Sequence, residues 1–131
     1  MTANEGQAPW AGTRVLVADD DPQILAMVAQ ALRALDLDVT EASEGDKALA
    51  LAREHKPRLV VLDVMMPGMS GWEVCRAIRE DEHLEHTSVL MLTGIGERLN
   101  DMTSPLYGAD DHLDKPFDLD ALHAKVKEIL S

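Results

Sequence analysis

Asp63 is the residue from which chemistry is expected. It follows four aliphatic residues, Leu59, Val60, Val61 and Leu62, and precedes a turn-rich stretch holding Pro67, Gly68, Ser70 and Gly71. A short aliphatic run without polar alternation reads as a strand buried on both faces. In a parallel sheet, ligands bind beyond the carboxyl ends of such strands. A lone carboxylate there reads equally well as a strand cap, and the rest of the chain decides between the two. Asp19, Asp20 and Asp21 close another apolar run at residues 14–18, while Thr93 and Lys115 stand at the ends of the expected fourth and fifth strands.

If those strand ends share one crevice, Asp19, Asp20 and Asp63 crowd together. Two like charges about 4 Å apart repel by roughly 4 kcal/mol at an effective dielectric near 20. Either one acid stays protonated or a cation joins them. Hard oxygen ligands select Mg²⁺, with Ca²⁺ or Mn²⁺ as alternatives. The single cysteine and five scattered histidines offer no zinc set. A hydroxyl, an ammonium and a divalent ion facing a carboxylate suit a phosphoryl group. Asp63 is then the nucleophile that takes it up as an acyl phosphate.

The elements that must position these residues alternate. Strands are expected at 14–18, 37–41, 59–62, 89–92 and 111–114, and helices at 22–35, 43–54, 70–80, 97–107 and from the cap Asp118 to 130. Asp21 with Pro22 makes a helix start. Five strand–helix alternations imply an α/β fold. With right-handed crossovers, the expected arrangement is a flavodoxin-like, doubly wound, five-stranded parallel sheet of order 2-1-3-4-5, with helices on both faces. In it, strands one and three are neighbours at the switch point. The fourth helix is the weak element, because Pro105 and the poor helix formers Asn100, Asp101, Thr103 and Ser104 break a regular helix over 97–107.

The 131 residues suit one domain, expected over 13–131 behind a mobile polar tail at 1–12. Hydrophobic residues make up 46% and aromatics 3%, so the core is aliphatic. A net charge of −12 argues against direct nucleic-acid contact and against an anionic membrane surface. No signal sequence or membrane span is legible, and cytoplasmic residence is expected. Cys75 shares helical spacing with Gly71, Val74 and Ile78, which reads as burial rather than as a reactive thiol.

The stretches V-L-V-A-D-D-D-P (15–22), V-V-L-D-V-M-M-P-G-M-S-G (60–71), M-L-T-G (91–94) and G-A-D-D-H-L-D-K-P-F (108–117) resemble the receiver domains of bacterial two-component response regulators, chemotaxis regulators among them. The resemblance covers about residues 13–131. It implies Asp63 as phosphoacceptor, Asp19 and Asp20 as the acidic pair, and Met65 as a metal ligand through its backbone carbonyl. It also implies Thr93 as the switch hydroxyl, Lys115 as the family's lysine, and a cis Lys115–Pro116 peptide. No organic cofactor is implied. A histidine kinase or phosphotransfer protein would supply the phosphoryl group, and the fourth helix, fifth strand and last helix would form the face that meets a downstream protein.

His112 stands where the family has Tyr or Phe, Gly94 where Ala is commoner, and Ile95 where the residue is often polar. With Met65 and Ile95 both apolar, slow self-dephosphorylation is expected. Two readings of His112 stand: a ring filling the aromatic slot, or an imidazole drawn inward by the charge of a phosphorylated Asp63. Apart from the phosphorylation switch, two further functions remain open: a docking module that keeps the fold without phosphorylation, and a Mg²⁺-dependent aspartyl-phosphate phosphatase, for whose substrate cap the chain has no room. Flavin binding lacks a phosphate loop after the first strand. The last helix ends near Ser131, so the chain reads either as a stand-alone receiver or as a part of a larger regulator or hybrid kinase.

Overall fold

A computed structural model describes residues 9–94 and 109–131. Five parallel strands run in the order β2-β1-β3-β4-β5. They are β1 (Arg14–Ala18), β2 (Asp38–Ala42), β3 (Leu59–Asp63), β4 (Ser88–Thr93) and β5 (Asp111–Asp114), with helices α1 (Pro22–Arg33), α2 (Gly45–His55), α3 (Gly71–Glu80) and α4 (Leu119–Leu130). The expected strand order and fold class hold. The weak helix expected over 97–107, and Ile95 with it, lie outside the described residues.

The aliphatic runs work because both faces of the sheet are covered. Val15, Val17, Leu59, Val61, Leu90 and Leu92 face α1 and α4, meeting Val28, Leu32, Leu122 and Val126. Leu16, Ala18, Val60, Leu62, Val89 and Met91 face α2 and α3, meeting Ala48, Ala52, Val74, Cys75 and Ile78. Successive strand residues point to opposite sides, so each run fills two cores at once. Burying each valine, leucine, isoleucine or methionine among them contributes about 1.5–3 kcal/mol. Cys75 is fully buried, as its spacing predicts.

Caps set where the helices begin. The Asp21 carboxylate accepts from the Gln23 and Ile24 amides at 2.9 and 3.4 Å and starts α1. Ser70 and Glu73 form a reciprocal capping box at α3, with bonds of 3.2 and 2.9 Å. β2 and α2 start one and two residues later than the sequence suggests. The Ala42 carbonyl is still engaged by the Asp19 amide, and the Gly45 amide is tied to the Pro67 carbonyl. Of the expected tail, residues 1–8 lie outside the described residues. Residues 9–12 form turns, Gly12 donates to the Asp36 carbonyl at 2.7 Å, and Trp10 packs against the α1–α4 core.

Candidate functional site: an acidic crevice at the carboxyl edge of the sheet

The topology alone brings the acids together. β1 and β3 pair in parallel, with Ala18 opposite Leu62, so their next residues, Asp19 and Asp63, emerge side by side. Asp19 is completely buried and Asp63 nearly so, while Asp20 is exposed at the mouth. Carboxylate oxygens of Asp19, Asp20 and Asp63 all lie within 4.8 Å of one another. The Asp21 amide donates to Asp19 Oδ1 at 2.9 Å, which fixes that carboxylate.

Among the described residues, one cation reaches into the cluster. The Lys115 amide donates to the Thr93 carbonyl at 2.7 Å, which docks the end of β5 beside β4. The Lys115–Pro116 peptide that follows is cis, as the resemblance implied. From there Lys115 Nζ donates to Asp63 Oδ1 at 2.8 Å and to Asp19 Oδ2 at 3.4 Å. Burial opposes the charge on Lys115, yet its bond and attraction to Asp63, and then to Asp19, hold its pKa above the ordinary range.

That single ammonium does not balance the acids. Burial pushes the Asp63 carboxyl up to about 6; the hydrogen bond from Lys115 pulls against it, and the neighbouring charge of Asp19 adds to the rise. The shortfall of positive charge among converging carboxylate oxygens is the chemistry of a hard divalent cation site, and the donor set fits Mg²⁺ or Mn²⁺. Met65, expected to contribute its carbonyl, lies two residues past Asp63 in the loop after β3, with its side chain 64% exposed.

Gly71 shapes the crevice from behind. Its amide donates to the Val64 carbonyl at 2.7 Å, and a Cβ on it would collide with the Asp63 carbonyl oxygen. The turn that follows β3 therefore has room only for glycine at residue 71. The sequence showed turn chemistry here but not this close approach.

Thr93 is buried at the end of β4, and its hydroxyl donates to Asp114 Oδ1 at 2.8 Å. Asp114 was missed by sequence reasoning. Its one signal is its place immediately before Lys115, and it matters only once β4 and β5 are set in register. His112 is half-buried on β5 with Nε2 3.9 Å from the same Asp114 oxygen. The structure thus joins Asp19, Asp20, Asp63 and Lys115 in one cluster, and Thr93, Asp114 and His112 in an adjacent one.

A family model described as the response regulator receiver domain matches residues 15–127. Over 117 residues the chain is 40% identical to the DNA-binding dual master transcriptional regulator RpaA of Synechocystis, covering 89% of this chain and 48% of that protein. Over 114 residues it is 39% identical to the DNA-binding response regulator MtrA of Mycolicibacterium smegmatis, covering 87% and 49%. The chain therefore spans about half the length of these relatives. Among solved structures, the chemotaxis protein CheY4 of Vibrio cholerae superposes with a TM-score of 0.84 at 31% identity, covering 91% of this chain and 99% of that one.

These relatives overturn one expectation, that nucleic acid is not among the partners. RpaA and MtrA are named as DNA-binding proteins. The net charge of −12 describes the surface of these 131 residues and does not report on what a longer regulator does. Among the described residues no helix is long and apolar enough to cross a membrane.

Proposed function

Since the chain belongs to the response regulator receiver domain family and is a phosphorylation-activated switch of two-component signalling, we propose that Asp63 is its phosphoacceptor and that Asp19, Asp20 and the Met65 carbonyl, with Asp63, hold Mg²⁺, for which Mn²⁺ can substitute. The donor is a phosphohistidine on a kinase or phosphotransfer protein. Asp63 attacks the phosphorus as a carboxylate, an O–P bond forms, and the P–N bond to the donor imidazole breaks, the leaving nitrogen taking a proton from solvent. The protein acts here only on its own phosphorylation and dephosphorylation, as a signalling domain rather than a metabolic enzyme.

Lys115 holds one Asp63 oxygen and so orients the carboxylate before attack. As charge moves onto the phosphoryl oxygens, the same ammonium meets one of them as a point charge. Thr93 supplies a hydrogen bond to another. A bound divalent ion contributes positive charge that offsets both the crowded carboxylates and the incoming phosphoryl group. The observation that carries this reading is the 2.8 Å contact of Lys115 with Asp63 inside a crevice of three acids.

The phosphorylated state is relayed through protein contacts. Should the chain belong to a longer regulator, the output proposed from RpaA and MtrA is transcriptional control at DNA, and the proposed compartment is the cytoplasm. Incubation with Mg²⁺ and acetyl phosphate followed by intact mass measurement tests the assignment. One stable added phosphoryl group is expected on the wild type and none on Asp63→Asn. Steady phosphate release would indicate the phosphatase reading and no change the docking reading, neither of which the family match favours. Normal labelling of Asp63→Asn would show that the acceptor lies elsewhere.

A further inference from the structure

The Thr93 hydroxyl is already engaged. Thr93 is 2% exposed at the end of β4, and its register partner on the edge strand is Asp114. Side chains of partners in register project to the same side of the sheet, and here they meet, Thr93 Oγ1 donating to Asp114 Oδ1 at 2.8 Å. A threonine hydroxyl carries one hydrogen to donate. While Asp114 holds it, none is left for a phosphoryl oxygen on Asp63.

We propose that Asp114 is a positioning residue of the switch: its carboxylate holds the Thr93 hydroxyl in the unphosphorylated protein, and a phosphoryl group on Asp63 must win that hydrogen from it. The inference rests on the assignment of Asp63 and Thr93 above. Both acceptors are anionic, and charged acceptors make the stronger hydrogen bonds. The equilibrium is therefore a small difference between two similar interactions, which makes it responsive to loss of either one. The β4–β5 register, rather than the crevice itself, sets the resting place of the hydroxyl. Asp114 Oδ1 also lies 3.9 Å from His112 Nε2, so the residue in the family's aromatic position abuts the acceptor. Two effects of the carboxylate need separating: capture of the hydroxyl, and plain repulsion of an incoming anion.

A double-mutant cycle separates them. Beryllofluoride with Mg²⁺ serves as the phosphoryl mimic, and calorimetry gives its dissociation constant for wild type, Asp114→Ala, Thr93→Val and the double variant. Asp114→Ala is expected to tighten binding about tenfold when Thr93 is present, equivalent to about 1.4 kcal/mol. In the Thr93→Val background the same change should alter binding less than about twofold. Asp114→Asn, which keeps an acceptor oxygen without the charge, should fall between, and it carries the comparison if Asp114→Ala does not fold. An unchanged affinity, or equal tightening with and without the hydroxyl, overturns the proposal, the second outcome leaving only charge repulsion. Failure of the wild type to bind beryllofluoride, or binding by Asp63→Ala as tight as wild type, removes the parent assignment and this inference with it.

Discussion

The two edges of the sheet arrange their charged side chains in opposite ways, a solvent-reached balanced pair at one and a buried excess of acid at the other. At the amino edge, Arg79 of α3 donates to the Thr87 carbonyl at 2.7 Å and to Asp110 Oδ2 at 2.7 Å. Asp110 accepts in addition from the Val89 amide at 2.7 Å, and its own amide returns to the Val89 carbonyl at 2.9 Å. Here a cation meets a carboxylate, and each also bonds the backbone around the starts of β4 and β5. At the carboxyl edge a single ammonium faces two buried carboxylates and a third at the mouth. The first arrangement ties a helix to two strands. The second keeps an electrostatic deficit that folding alone does not relieve, and a hard divalent cation fits it.

The largest expected effect breaks the comparison outright. Asp63→Asn should lose phosphoryl uptake from acetyl phosphate completely, whereas Arg79→Ala, at the balanced edge, should still take up one group per molecule. Intact mass reads both. Loss of labelling in Arg79→Ala with the fold retained would mean that the two edges are not separable.

Next in size is the pH dependence of the metal-free protein. The Asp63 carboxyl is raised from 3.8 to about 6 in the fold. A raised acid binds its proton more tightly when folded, so its stabilising contribution is complete below about pH 4 and is lost as pH rises through about 6. Linkage sets this at about 3 kcal/mol, and solvent screening reduces it to the order of 2 kcal/mol. Urea unfolding in a chelator, from pH 4 to 7.5, should show wild type losing stability relative to Asp63→Asn by that amount. Added Mg²⁺ should restore the wild type selectively. Parallel pH curves for the two proteins would remove the deficit from the account.

Arg79→Ala should cost about 1 kcal/mol in urea unfolding, because it removes the ion pair and the bond to the Thr87 carbonyl, while the solvent-reached Asp110 keeps the Val89 amide. A loss under about 0.5 kcal/mol would mean that the balanced edge contributes little. The smallest effect concerns Cys75, whose thiol burial pushes up to about 12. It should not react with a thiol reagent at pH 8 until the protein is unfolded, and rapid native labelling would contradict its place under α3.

Much of this was legible in the chain. Residues 15–18 and 59–62 are aliphatic without alternation because each run feeds two cores, and that same pattern marks where strands end and acids begin. Asp21 and Asp118 announced helix starts because capping is local, needing only an amide two or three residues away. Boundaries failed where a distant carbonyl intervened, as Pro67 does at the Gly45 amide. Trp10 appeared to belong to a loose tail because its packing against the core is a long-range contact with no periodic signature.

The amino-acid sequence by itself determined the alternation of strands and helices, the acids at the strand ends and the lysine that answers them, because burial pattern and strand-end position are properties of a few consecutive residues. Only the tertiary structure decided how those groups share hydrogens and charge. The Asp63 carboxyl is pushed up to about 6 because neighbouring strands bury it beside Asp19, against the pull of Lys115. Thr93 rests on Asp114 because β4 and β5 pair in the register that sets them opposite each other. Register and enclosure depend on contacts between residues far apart in the chain, and a shift of one residue would have turned each of these side chains to the other face of the sheet.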